Sequence, residues 1–302
     1  MSRIINIGAA QMGPIAKNET KQSVVNRLIS HLENAYKRGC DLVVFPELTL
    51  TTFFPRYFEE DIEKMDCYFE KEMPNTDVMP LFKRAKELNI GFYLGYAELT
   101  IENGVKRRFN TSITVDKNGD IIGKYRKIHL PGHKDFEEYR AFQHLEKRYF
   151  ERGEEFKTFQ GFDGTLGMAI CNDRRWSETY RCLALQGAEL IMIGYNTPVH
   201  NPPAPEHDNL SNFHNNLVFS SGAYQNGTWV VGVAKAGNEE GIEMIGQSQI
   251  VAPSGETVAM CTTLGDELIT ASCDLDLCNS YKNTLFNFDK HRIPSAYNIL
   301  TK

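Results

Sequence analysis

Apolar runs and amphipathic stretches alternate along this chain in a strand-and-helix rhythm. Residues 4–11 (IINIGAAQ) read as a first buried strand. Val25, Leu28, Ile29, Leu32, Ala35 and Tyr36 then recur at helical spacing, and the pattern stops near Gly39. Residues 41–47 (DLVVFPE) predict a short buried strand whose last residue is a carboxylate, Glu47. A less regular acidic stretch at 57–77 leads to a helix around 80–88 and a strand at 91–99. Residues 109–116 and 121–130 alternate about Asn118-Gly119, a strong hairpin signal. The second of these runs carries Lys127 near its end, where Pro131-Gly132 stops it.

Residues 131–155 form a polar and aromatic excursion, with a short helix expected near 137–147. So long a connection inside a compact domain points to function. The small-apolar run 167–170 then ends abruptly at Cys171, followed at once by Asn172-Asp173-Arg174-Arg175-Trp176. Ser177 is placed to cap a helix through Gly187, and 189–195 (ELIMIGY) is another strand. The stretch 196–208, with Pro198, Pro202, Pro203 and Pro205, reads as a rigid loop before a helix at 209–224. Strands at 228–234, 247–251, 257–262 and 268–274 complete the pattern, with Ser254-Gly255 as a turn. No linker, low-complexity segment or repeat interrupts it. The whole of 1–302 is therefore expected to form a single α/β domain with more than one sheet.

Composition narrows the classes. A net charge of -6 argues against a nucleic-acid or anionic-membrane partner. No apolar run approaches the roughly 20 residues of a membrane span. The N-terminal residues lack the pattern of a cleaved signal. Seven cysteines, odd in number and without tight spacing, suit a reducing compartment, so the expected location is cytoplasmic.

The chemistry lies at strand ends. Glu47, Lys127 and Cys171 each sit at or near the end of a strand, immediately before polar or Pro/Gly-rich sequence. Ligands in open α/β sheets bind beyond the carboxyl ends of strands, so the three are candidates to converge. As a set they make chemical sense: a thiol nucleophile, a carboxylate to carry its proton, and a cation for a developing oxyanion. Taken singly, Cys171 reads equally well as a packed core thiol and Lys127 as a solvated cation. Strand alternation separates Lys127 from Lys124 and Arg126, which share the other face. Glu146 and His144 lie in a charged segment that also reads as a solvated face. A metal reading of the histidines fails at His129 and His133, because Pro131-Gly132 between them prevents a shared helix face. His200 and His207 share one loop without a compact Cys/His cluster, and Gly161, Gly164 and Gly167 lack the context of a nucleotide fingerprint. No metal and no cofactor are expected.

Three segments, Val44-Phe45-Pro46-Glu47-Leu48, Tyr125-Arg126-Lys127-Ile128-His129-Leu130 and Ile170-Cys171-Asn172-Asp173-Arg174-Arg175-Trp176, stand in the order and spacing of the nitrilase superfamily of carbon–nitrogen hydrolases, which the chain resembles. A closer resemblance, to the group acting on N-carbamoyl-D-amino acids, runs through residues 50–56, 107–112, 142–150 and 195–198. The resemblance implies a four-layer α-β-β-α sandwich, no metal, and a homo-oligomer. It further implies Cys171 as nucleophile, Glu47 as general base and acid, Lys127 as oxyanion stabiliser, and Glu146 as a second acid that holds or assists Lys127. His129, His144 and His214 match histidines around the pocket. Asn172, Arg174 and Arg175 match residues that recognise a substrate carboxylate, and Asn196 and Thr197 fall on the substrate side as well. Adjacent guanidinium groups after the nucleophile suit that task physically, although one of them can instead pair with Asp173. The implied partner is a small carbamoyl-amino acid. A β-ureido acid, another amide and a nitrile remain open with the same machinery, as do a metal-dependent cyclic-amide hydrolase and a catalytically silent binding protein. Two departures from the group are visible: Ser177 replaces a proline after the tryptophan, and His214-Asn215 stands where two histidines are usual.

Overall fold

The first five strands are β1 (Ile4–Gln11), β2 (Leu42–Val44), β3 (Gly91–Glu102), β4 (Val105–Val115) and β5 (Ile121–Arg126). The structure, a computed structural model, describes residues 2–301. It continues with β6 (Thr158–Gly161), β7 (Gly164–Ile170), β8 (Leu190–Tyr195), β9 (Trp229–Ala234), β10 (Ala236–Glu239) and β11 (Ile242–Ile245). The last three are β12 (Gln249–Val251), β13 (Thr257–Met260) and β14 (Glu267–Asp274). One sheet runs β14-β1-β2-β3-β4-β5 and the other β13-β12-β9-β8-β7-β6, with β10 and β11 as a separate hairpin. Each large sheet has three parallel central strands, β1-β2-β3 in one and β9-β8-β7 in the other, flanked by antiparallel ones.

The sheets pack face to face, β2 lying against β8 and β9 and β4 against β7. Helices α1 (Lys21–Lys37) and α2 (Met79–Leu88) cover the outer face of the first sheet. After the one-turn α3 (Glu146–Tyr149), helices α4 (Ser177–Leu185) and α5 (Ser211–Asn226) cover the second. This is the four-layer α-β-β-α arrangement. Strands β2, β7, β8 and β9 are apolar on both sides because both faces are covered, which explains why they read as runs and not as alternating patterns. No helix among the described residues is long and apolar enough to cross a membrane.

Several expectations needed correction. The helix expected over 137–147 is only the turn at 146–149. The Gln143 side chain accepts from the Glu137 N–H at 3.0 Å and donates to its carbonyl at 2.8 Å, closing a loop in place of a helix. Ser177 does not cap α4; it is the first helical residue, after Trp176, and its hydroxyl donates to Glu178. The strand expected over 41–47 stops at Val44: Pro46 has no N–H to extend the ladder, and at Leu48 the chain takes φ 45°. The hairpins β3–β4 and β10–β11, turning at Asn103-Gly104 and Glu240-Gly241, went unread although each turn pairs two positive φ values.

At the end of β9 a buried ion cluster ties the layers together. The Lys235 ammonium lies 2.9 Å from Glu239, whose carboxylate also meets Arg56 at 2.8 Å and the backbone N–H groups of Phe53 and Ile15. All three charges are buried. Glu239→Ala should leave two buried cations without a counter-charge and lower stability by about 3–5 kcal/mol, the cost typical of breaking a buried pair. Chemical denaturation of the variant measures this; a midpoint unchanged from wild type would refute the account.

Candidate active site

Glu47 lies just past β2, inside a tight turn wedged between the two sheets. The Thr49 hydroxyl donates to the Pro46 carbonyl, and the Thr49 N–H donates to the Gly95 carbonyl at 2.8 Å. Gly95 on β3 and Gly194 on β8 press on this turn from either side. A Cβ at Gly95 would lie 2.7 Å from the Pro46 oxygen, and one at Gly194 would lie 2.6 Å from the Glu47 nitrogen. Only glycine permits so close an approach.

Lys127 follows β5, its N–H donating to the Asn110 carbonyl at 2.8 Å and its carbonyl accepting from Gly153 at 2.8 Å. The Lys127 ammonium sits between two carboxylates, 2.7 Å from Glu47 Oε1 and 2.6 Å from Glu146 Oε2. None of the three side chains is exposed. Glu146 comes from the first position of α3 and also meets His144 Nε2 at 3.1 Å. Burial disfavours the ammonium, but Cys171 once ionised, and the Glu146 and Glu47 carboxylates beside it, outweigh that effect and hold Lys127 protonated. Burial pushes the Glu47 carboxyl up, with Glu146 adding to the effect against the opposing pull of Lys127. For Glu146 burial acts the same way, yet Lys127 and His144 prevail and keep it ionised. The environment thus separates two otherwise similar acids, and Glu47 is the one poised to take a proton.

Cys171 stands where β7 ends and a 3-10 turn (Cys171–Arg175) begins, with φ 48°. A side chain larger than hydrogen is strained there, and strain of this kind occurs at functional sites as well as in turns. Asp173 holds this turn. One of its oxygens accepts from the Ile170 N–H at 3.0 Å and the Tyr125 hydroxyl at 2.7 Å; the other accepts from the His129 N–H at 2.9 Å and meets His129 Nδ1 at 2.8 Å. Asp173 therefore pairs with the strand carrying Lys127 and with neither arginine. Tyr93 supplies a second brace, donating to the Ala169 carbonyl and accepting from the Gly194 N–H. Asn196 joins Cys171 to Glu47: its side chain donates to the Glu47 carbonyl at 2.8 Å while its own carbonyl accepts from Cys171 Sγ at 3.4 Å. Burial and then the Glu47 charge push the Cys171 thiol up to about 11, against the pull of Lys127 and Arg174.

A cavity of about 420 Å³ opens above the thiol. Asn172, Arg175, Asn196, Thr197, His144 and His214 line it with Cys171. Two of the expected residues lie elsewhere. Arg174 is fully buried, donating to the Cys171 carbonyl at 2.8 Å, to Thr197 Oγ1 at 2.7 Å and to Asn215 Oδ1 at 3.1 Å, with its plane over Tyr195. Its donors are spent on the protein, so it shapes the site from behind. His129 is outside the cavity, stacked between Phe156 and Trp176, and reaches it only through its carbonyl, which accepts from Asn172 at 3.2 Å. Arg175, by contrast, is exposed at the cavity wall with no side-chain partner among the described residues. The Arg174 charge beside it lowers its pKa to about 10, which still leaves it cationic at neutral pH. No group of three or more His, Cys, Asp or Glu among the described residues is placed to hold a metal ion.

Sequence reasoning overlooked Asn110, Tyr93 and Asn215 as parts of the site, and it offered Asp173 only as a partner for an arginine. Asn215 carried a signal, being the departure from two successive histidines: it receives Arg174 and donates to Tyr195 at 3.0 Å.

The sequence model of the carbon-nitrogen hydrolase family matches residues 6–283. The chain is 28% identical to a probable nitrilase of Schizosaccharomyces pombe over 63% of this chain and 61% of that one. It is 27% identical to an N-carbamoylputrescine amidase of Oryza sativa subsp. japonica, over 98% of this chain and 94% of that one. Its fold matches the crystal structure of a carbon-nitrogen hydrolase from Helicobacter pylori G27 with a TM-score of 0.84 at 22% identity, covering 100% of this chain and 99% of that one.

A thiol held near 11 is protonated at rest. The ultraviolet thiolate absorbance that distinguishes wild type from Cys171→Ser should therefore be absent at neutral pH and emerge only as the pH approaches about 11. A thiolate band already present at neutral pH would contradict this electrostatic picture.

Proposed function

The chain belongs to the carbon-nitrogen hydrolase family, and from that premise we propose that it hydrolyses N-carbamoyl-amino acids, of D configuration, to the amino acid, carbon dioxide and ammonia. The D configuration comes from the closer sequence resemblance. What supports a carboxylate-bearing substrate is the unpaired Arg175 guanidinium at a cavity wall on which no acidic residue appears. A guanidinium grips a carboxylate in bidentate fashion. A cationic ureido substrate such as N-carbamoylputrescine would meet that positive charge with no counter-ion.

In this reading the Cys171 sulfur adds to the ureido carbonyl carbon while its proton passes to Glu47, since a thiol so reluctant to ionise needs the base at the moment of attack. Glu47 Oε2 is the free oxygen: Oε1 is held by Lys127 and Asn110, and Oε2 is buried without a partner. The oxyanion of the tetrahedral intermediate faces Lys127 and a backbone N–H at the start of the nucleophile's turn. The C–N bond to the terminal nitrogen breaks, ammonia leaves with the proton from Glu47, and a thioester remains on Cys171. Glu47 then takes a proton from water as the water adds to the thioester. The thiol is expelled and the carbamate that is released decarboxylates in solution. Arg175 holds the substrate carboxylate, with Asn172 and Thr197 beside it. A carboxylate-bearing amide or β-ureido acid would use the same wall.

We also propose that the chain forms homo-oligomers. Leu210, Phe213 and Leu217 make an exposed apolar stripe along α5 and the residue before it, suited to a second copy. Sedimentation giving a monomer at micromolar concentration would end that idea.

Product analysis with D and L N-carbamoyl-amino acids, a β-ureido acid, N-carbamoylputrescine and a nitrile tests the substrate. We expect turnover of the D carbamoyl-amino acids and little or none of N-carbamoylputrescine; the reverse order would refute the assignment. Cys171→Ala should abolish turnover. Arg175→Leu should raise KM roughly ten- to a hundredfold with a smaller effect on kcat, as loss of a charged hydrogen-bonded pair implies. An unchanged KM would rule out carboxylate capture by Arg175.

A further inference from the structure

Asn110 projects from β4 beneath the two buried carboxylates, fully enclosed, and it is absent from the cavity wall. Its side-chain nitrogen donates to Glu47 Oε1 at 2.8 Å and lies 3.5 Å from Glu146 Oε2. Its backbone carbonyl accepts from the Lys127 N–H at 2.8 Å. Its own side-chain oxygen is buried without a partner. A buried amide oxygen is expensive to leave unmatched. The orientation is therefore dictated by the acids, since turning the amide over would set its oxygen against the Glu47 carboxylate.

We propose that Asn110 is a positioning residue that decides which oxygen of Glu47 serves as the base. By tying down Oε1 from below, while Lys127 holds the same atom from the side, it turns Oε2 toward the thiol and the water that later attacks. The residue type fits the task. A hydroxyl on so short a side chain would not span the distance, an acid would repel both carboxylates, and a second cation would quench the basicity that Glu47 needs. A neutral amide donates without adding charge. Through its main chain the same residue fixes the starting point of Lys127, so one position sets both the base and the cation. The hydrogen bond also favours the ionised carboxylate and so opposes the effect of burial on Glu47.

The inference rests on Glu47 acting as the base for Cys171. Its test is the pH dependence of kcat/KM, with kcat and KM resolved separately, for wild type, Asn110→Ala and Asn110→Asp. The substrate is an N-carbamoyl-D-amino acid, or a simple aliphatic amide if no carbamoyl compound is turned over. Asn110→Ala should lower kcat roughly ten- to a hundredfold with KM changed by less than about threefold, as for a misplaced catalytic group. Its acidic limb should move to higher pH, because Glu47 loses a donor to its charged form and binds its proton more tightly. Asn110→Asp keeps the volume, so it serves even if the alanine variant fails to fold. Its added negative charge should drive the acidic limb further up. Wild-type pH profiles in both variants, or a raised KM with unchanged kcat, would overturn the inference. Glu47→Gln separates the two levels. Substantial turnover in that protein overturns the base assignment itself, whereas an inactive Glu47→Gln beside a normal Asn110→Ala overturns only the role of Asn110.

Discussion

One buried ammonium between two buried carboxylates governs the architecture of this site. Removing three charges from water is costly, and the arrangement survives only because each partner lies within hydrogen-bond reach of Lys127. The three side chains come from the ends of β2 and β5 and from the start of α3, so the cluster cannot form until distant parts of the chain are in place. Two acids around one base leave an excess negative charge. Burial first, and that excess after it, makes Glu47 hold its proton more tightly than a surface acid would while Glu146 stays ionised.

Cys171, the candidate nucleophile, is delivered by the other sheet, and much of the surrounding hydrogen bonding joins the two halves. Tyr93 reaches from β3 to β7 and β8, Asp173 reaches back to the strand bearing Lys127, and Asn196 links the Glu47 carbonyl to the thiol. Arg174, adjacent in sequence to the free Arg175, belongs to this scaffolding. Two like residues thus have unlike work, set by which of them the 3-10 turn points inward.

Strand positions were readable because apolar runs bounded by turns leave a clear mark, and the candidate carboxylate, lysine and thiol stood at their ends. Their convergence was not contained in spacing; it came from the motif order of the superfamily and is visible physically only in the packed sheets. The irregular excursion was misread as more helical than it is, because Gln143 satisfies Glu137 through a side chain, a tertiary choice that periodicity does not register. Asp173 looked like a partner for an arginine because charge is what a sequence displays. Tyr125 and His129, which claim it, are distant in the chain. Asn110 and Tyr93 look like ordinary strand residues until the second layer is laid against them.

The pair of glycines that squeeze the Glu47 turn has a consequence for how the molecule fails. Because the turn touches both sheets with no side chain as cushion, its position follows the gap between the layers directly. Heat, pressure or a bulky core substitution that lets the sheets slide by a fraction of an ångström displaces Glu47 while each sheet keeps its own hydrogen bonds. Any activity that depends on Glu47 is therefore tied to interlayer spacing as well as to the integrity of either sheet.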